Sequence, residues 1–218
     1  MNSSSSEVWA RLSKPEAAAG PPAEVPRRGR PRSEKSKAAI LATAGELLLE
    51  RGLEDVSMDA IAEQAGVSKA TIYRWWPTKE TLAIDALYED WAAAYPEPPD
   101  TGRLRDDLSG VFLPWVDHIT KRPYARVLGA LLTRARTDDA FAQEFDQRLI
   151  QPRRGRARPI FTRAIERGEL PADTDIELAL DLLYGAVYHR FLQGHLPLSR
   201  GFVEAVIDAV LHGLLPRD

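Results

Sequence analysis

"GVSKATIYRWWPTKE", Gly66 to Glu80, sets two adjacent tryptophans behind a tyrosine and an arginine, on what reads as a polar helix of barely two turns. The chain holds five Trp in 218 residues, so a side-by-side pair here needs a physical reason. Adjacent residues on a helix point about 100° apart, so the two rings cannot share one face. Ile72 and Trp76, four apart, do share a face. Ile61 and Ala65 of the preceding segment supply its packing partner. The spacing therefore predicts Trp76 in a small core, with Lys69, Ala70 and Tyr73 pointing away from it. Trp75 falls at the border, its ring partly packed and its indole N–H expected to be open as a donor.

Outward from this stretch the boundaries are legible. Ser68 reads as an N-cap and Pro77 as a stop, which predicts a helix over Lys69 to Trp76. Ser57 caps a short helix before it, with Asp59 in the first turn and Gly66 as the break. Upstream, Ile40, Leu41, Ala44, Leu47 and Leu48 recur at helical spacing between a Ser33 cap and Gly52, which suits a left-handed helix end. Thr78 caps a fourth helix, "KETLAIDALYEDWAAAY". Two short capped helices joined by "AGVS" have the sequence form of a helix-turn-helix.

Net charge is -3, so the distribution of charge carries more information than its sum. From Arg27 to Lys37, "RRGRPRSEKSK" holds six Lys or Arg against one Glu, a local +5 on an acidic chain. Residues 1 to about 30 are rich in Ser, Ala, Pro and Gly, the composition of a disordered basic arm. There are no cysteines, hence no disulfides or thiolate chemistry. No apolar run approaches the roughly 18 residues of a membrane span, and no apolar signal segment is visible. A cytoplasmic protein with no membrane partner is the expectation.

Beyond "YPEPPDTG" the pattern is helical throughout. Leu104, Leu108, Val111, Phe112, Trp115 and Ile119 form one stripe. A further helix covers about Tyr124 to Arg136, and another starts near Asp138. Pro152 and Pro159 are expected to bend or divide that one. "IELALDLLYGAVYHRFLQG" and "SRGFVEAVIDAVLHGLL" close the chain. No period-two segment appears, so the fold class is all-α: an N-terminal three-helix helix-turn-helix domain and a C-terminal helical domain for effector binding and dimerisation. The expected divisions are an arm at 1–30, a helix-turn-helix domain at 31–80 and the second domain at 81–218.

The outer face of the Lys69 helix offers a long cation, a small residue that permits close approach (Ala70), a hydroxyl (Thr71) and a phenol (Tyr73), with Lys79 one turn on. Such groups and helix N-termini contact phosphates, while a few side chains on a helix in the major groove read base edges. Double-stranded DNA is therefore the expected partner. The arm, with Arg28, Arg30 and Arg32, suits a minor groove or the phosphate backbone.

Over Ile40 to Leu87 the residues resemble the DNA-binding domain of tetracycline-repressor-like (TetR/AcrR) transcriptional regulators. The resemblance rests on "A..L....G", the Ser before the second helix, "IA..AGVS", "T.Y..F..K" and the following Leu. It implies Tyr73 and Lys79 on phosphate, Lys69 and Ala70 near base edges, and Thr71 and Trp75 on the backbone, with Ser57 and Ser68 at the helix starts. Trp76 stands where the family usually has Phe, and Trp75 where it usually has Tyr or His. Asp59 stands where some members touch DNA, and an acid there does not suit phosphate. The resemblance further implies a variable effector domain from about residue 98, and a homodimer through the last two helices, Asp173 to Leu215. The expected function is a repressor on a palindromic operator, released by an unidentified small apolar or aromatic molecule.

Other classes fit less well. No Ser-His-Asp or paired-carboxylate arrangement stands out, so an enzyme is not expected. His118, His189, His195 and His212 lack metal-site spacing, and no cofactor is expected. Phe112, Trp115, Tyr124, Tyr184 and Tyr188 are candidates for an effector cavity, with His118 as a polar contact, although most such aromatics are ordinary core. A DNA-bound adaptor without an inducer is the alternative. A cavity of roughly 300–1,000 Å³ would separate the two.

Overall fold

The first helix, α1, runs Arg30–Arg51, ahead of the expected Ser33 start. Pro31 does not prevent this, because first-turn N–H groups lack an intrahelical acceptor anyway. The computed structural model describes residues 30–94, 97–121 and 123–214. The expected arm, and Arg28 with it, lies outside the described residues. The backbone of Arg30 and Arg32 belongs to α1, while their side chains lie outside what is described.

Ile40, Leu41, Ala44, Leu47 and Leu48 are all buried, which is the stripe the spacing predicts. Gly52 ends α1 at φ 90, and its N–H donates to the Leu48 carbonyl at 2.8 Å. A Cβ at Gly52 would lie 2.8 Å from Arg126 Nε, the movable end of an exposed side chain, so it is the positive φ that calls for glycine here.

Next come α2 (Met58–Gln64) and α3 (Lys69–Tyr73), each capped as its serine predicts. The Ala60 N–H donates to Ser57 Oγ at 3.2 Å, and the Thr71 N–H donates to Ser68 Oγ at 3.2 Å. Gly66 takes φ 65 in the turn between them. The helix α4 (Lys79–Ala94) opens with a reciprocal cap. Thr81 N–H donates to Thr78 Oγ1, and Thr78 N–H to Thr81 Oγ1, both at 3.2 Å.

The second half is built on α5 (Leu104–Thr120), whose predicted apolar stripe is wholly buried. Then follow α6 (Tyr124–Ala135), α7 (Asp139–Phe145), a π-helical turn at Asp146–Ile150, α8 (Gln151–Glu166), α9 (Ile176–Gln193) and α10 (Arg200–Leu214). Helix α5 packs against α4, α8 and α10, while α4 also touches the π turn. Among the described residues no strand occurs.

Pro159 does not divide its helix as expected: α8 runs through it. Pro159 and Gly155, the residue four before it, are both exposed, so the carbonyl left without a donor can be hydrated. The irregularity gathers instead just before Pro152, where the backbone widens into the π turn. Helix α9 ends at Gly194 in the left-handed region with φ 62.

Candidate nucleic-acid interface and effector cavity

Helix α3 ends at Tyr73 and not at the expected Trp76, but the Trp76 N–H still donates to the Ile72 carbonyl at 3.0 Å, so the helix and the turn that follows it are two-faced. Ile72 and Trp76 are buried together with Ile61 of α2. Lys69, Ala70 and Arg74 are exposed, and Tyr73 is 49% exposed although it is aromatic. Thr71 is half-buried, with its hydroxyl 2.9 Å from Ser68 Oγ. Thus Ser68, Lys69, Ala70, Thr71 and Tyr73 come together on one short element, with the exposed cap Ser57 at the start of α2. Lys79 stands at the start of α4, with Nζ 3.5 Å from the Glu54 carbonyl.

Lys69 has a partner that the sequence reading left out. Its Nζ lies 2.9 Å from Asp59 Oδ1 of α2. The Asp59 hydrogen bond, together with its charge, raises the Lys69 pKa above the ordinary lysine value. Asp59 therefore faces the reading helix rather than phosphate, and it sets the resting position of the lysine.

The tryptophan pair divides as expected in burial but not in chemistry. Trp76 is 1% exposed, and its indole N–H donates to Asp85 Oδ2 of α4 at 2.8 Å. Trp75 is half-buried, but its indole nitrogen is buried and has no hydrogen-bond partner. The donor expected to be open to phosphate is closed. What Trp75 presents instead is its ring. Lys37 Nζ of α1 lies 5.5 Å from the ring centroid and the Arg74 guanidinium carbon 5.6 Å. A ring of this kind holds cations by its quadrupole. Lys37 and Arg74 are candidate interface residues that sequence reasoning missed. Lys37 was counted in the basic block, but its contact with Trp75 crosses between helices and leaves no local signal.

Asp85 does more than accept from Trp76. Arg148 of the π turn donates to both its oxygens, at 3.2 and 3.0 Å. A second tie runs from Arg126 of α6 to Asp55, at 3.3 Å, in the loop between α1 and α2. The helix-turn-helix is therefore joined to the following helices by charged contacts at two places.

A cavity of about 310 Å³ lies between α8 and α9, with Ile150, Arg153, Tyr184, Gly185 and Tyr188 in its wall. Of the six expected ligand residues only Tyr184 and Tyr188 line it. Phe112 and Trp115 form the packed layer behind, with Trp115 edge-on to both tyrosines at 5.3 and 5.6 Å between centroids. His118 and Tyr124 belong elsewhere. His118 Nε2 lies 2.8 Å from the Tyr124 hydroxyl and 2.8 Å from Asp90 Oδ2, so the imidazole is a satisfied structural group. Arg153 was missed because it sits in an arginine-rich run. Its phase with Ala157, Ile160 and Ala164, all buried, is the signal that marks it as inward-facing. A larger cleft of about 430 Å³ between α1 and α4 is edged by Glu34, Glu46, Glu89 and Asp90. Its carboxylates suit neither DNA nor an apolar effector.

Helix α9 carries a second exposed feature. Leu178, Leu182 and Leu192 are 51%, 48% and 38% exposed, with Gly185 and His189 open between them. The spacing of four, three, four and three is one helical face. Among the described residues of the protomer nothing covers this face.

Comparison with known proteins bears on these sites. The model of "Bacterial regulatory proteins, tetR family" matches residues 40–86, and that of "Tetracyclin repressor-like, C-terminal domain" matches residues 98–210. The chain is 39% identical over 166 residues to the HTH-type transcriptional regulator YdeS of Bacillus subtilis (strain 168), covering 76% of this chain and 83% of that one. It is 32% identical over 183 residues to the DNA-binding transcriptional repressor TetR of Mycobacteroides abscessus, covering 83% and 94%. The crystal structure of the TetR family transcription regulator SCO0332 superposes with a TM-score of 0.74 at 35% identity, over 84% of this chain and all of that one. With a helix-turn-helix, an all-helical second half and relatives of this closeness, the chain belongs to the TetR family of DNA-binding transcriptional regulators, which are not enzymes.

Proposed function

We propose that this protein is a cytoplasmic, homodimeric repressor that binds a near-palindromic operator and leaves it when a small apolar or aromatic molecule occupies the α8–α9 cavity. The observation that carries the DNA reading is the two-faced α3: Ile72 and Trp76 anchor it from behind, while Lys69, Ala70 and Tyr73 project from the other side. In this reading Lys69 and Ala70 meet base edges. Tyr73, Thr71 and Lys79 meet phosphates beside the capped starts at Ser57 and Ser68, with Arg28, Arg30 and Arg32 on the adjacent backbone or minor groove. Lys37 and Arg74, gathered on Trp75, add to the same positive edge.

The uncovered α9 face supports a twofold dimer. Two α3 helices about one DNA turn apart, ~34–36 Å or a multiple, then require an operator with matching half-sites. The cavity, at about 310 Å³, favours a ligand-responsive protein over an adaptor without an inducer. Selection of bound fragments from genomic DNA tests the proposal. Enriched fragments should share an inverted repeat, and protection should extend over both halves. Enrichment of unpaired half-sites, or of no common sequence, sinks it.

A further inference from the structure

Arg153 is 4% exposed and lies on the inward phase of α8. One guanidinium nitrogen, Nη1, donates to the Tyr188 hydroxyl. The guanidinium carbon stands 5.2 Å from the centroid of the Trp91 ring. Its Nε is buried with no hydrogen-bond partner. Among the described residues no carboxylate pairs with it. The contrast with its neighbours on the same helix is sharp. Arg154 meets Glu177 and Asp181 at 2.5 Å, Arg156 meets Glu97 at 3.2 Å, and Arg158 meets Glu177 at 2.5 Å. Each exposed-side arginine of α8 is neutralised, while the buried one is not.

A buried cation without a counter-charge is costly unless something else supplies the charge. Arg153 forms part of the cavity wall beside Tyr184 and Tyr188, whose rings stack at 6.2 Å with planes 23° apart. Asp181, the carboxylate of that wall, is engaged by Arg154. The cavity thus offers a planar aromatic surface and an unneutralised fork of donors within a space suited to one or two rings.

We infer that the cavity takes a small aromatic acid, its carboxylate accepting from Arg153 and its ring lying against Tyr184 and Tyr188. Guanidinium and carboxylate are matched for two parallel hydrogen bonds, which a neutral ligand cannot reproduce. The inference rests on the reading that a small molecule occupies this cavity, and it adds the charge that the molecule carries.

The test uses the full chain and two isosteric pairs: benzoate against benzamide, and 1-naphthoate against 1-naphthamide. Calorimetric titration reads affinity, and fluorescence anisotropy reads release of the selected operator. At least one acid is expected to bind about tenfold or more tightly than its amide. Arg153→Met should bring acid and amide to the same level, with circular dichroism checking its fold. The acid–amide comparison on the unaltered protein needs no variant. Amides that bind as well as the acids overturn the inference, as does no binding by either acid or undiminished acid binding by Arg153→Met. Release of the operator by the amides alone overturns the inference and leaves the ligand-responsive reading intact. An acid that binds through Arg153 without releasing DNA supports the inference and sinks that reading.

Discussion

Single side chains do separable jobs here, and Trp76 and Lys69 show how. Trp76 fills the space behind α3 and also donates to Asp85, so Trp76→Ala removes packing and one of the two donors to that carboxylate. A loss of about 3–5 kcal/mol is expected in denaturant unfolding. Trp76→Phe should lose less, because the packing largely survives. Lys69 and Lys79 should differ in kind. Lys79→Ala is expected to weaken binding to all sequences and to lower the salt slope by about one unit. Lys69→Ala should instead change which operator variants are preferred; equal effects of the two on salt slope and preference would remove the distinction. At this scale the sequence discloses which residues face inward on a short helix, because Ile72 and Trp76 are four apart. It does not disclose that Trp75 buries its nitrogen and collects Lys37, since that depends on how α1 crosses α3. Nor does it mark Arg153 as buried when the eye takes "QPRRGRARP" as a solvated charged face.

Elements are fixed by their ends more than by their interiors. Ser57, Ser68, Thr78 and Gly194 all do what their types predict, and each stands at a boundary the chain could announce locally. Pro159 misleads because the consequence of a missing N–H depends on whether the freed carbonyl reaches water. Helices α8 and α9 are joined by charge as well as by packing. The Arg158 guanidinium, and with it Arg154, holds the Glu177 carboxyl down to about 2. A carboxylate whose folded pKa is depressed stabilises the fold above its unfolded pKa, and that contribution is lost as pH falls towards the folded value. Glu177→Gln should therefore lower Tm at pH 7, and the gap from the parent should close between about pH 4.5 and 2. Glu177 is half exposed, so solvent screening keeps the effect under about 1 kcal/mol. A gap unchanged across that range would show that the ion pairs contribute nothing.

For the whole molecule the open question is what covers α9. Leu182 is 48% exposed in the protomer, so Leu182→Arg should leave the protomer folded. It is expected to give a monomer in sedimentation and to weaken operator binding by orders of magnitude, because two half-sites would no longer be held together. A dimer that persists would place the twofold axis on another face. The helix-turn-helix meets the second half through Asp85 and Arg148, and the same continuous helical rod carries Arg153 into the cavity. Arg148 lies within the π turn and Arg153 three residues past its end, and the turn holds one residue more than an α-helical turn of the same span. The turn winds its five residues through about the angle of four α-helical ones and so keeps the flanking helices in phase, whereas loss of one residue from the α-helical step between Ile150 and Arg153 would rotate the upstream segment by about 100°. Arg148 would then swing off Asp85 while Arg153 kept its place. The phase between ligand and DNA is thus set by a count of residues. Under the proposed function the cavity can exchange one ligand for another by substitution alone, whereas an insertion or deletion in the α-helical step before Arg153 disconnects it from the operator.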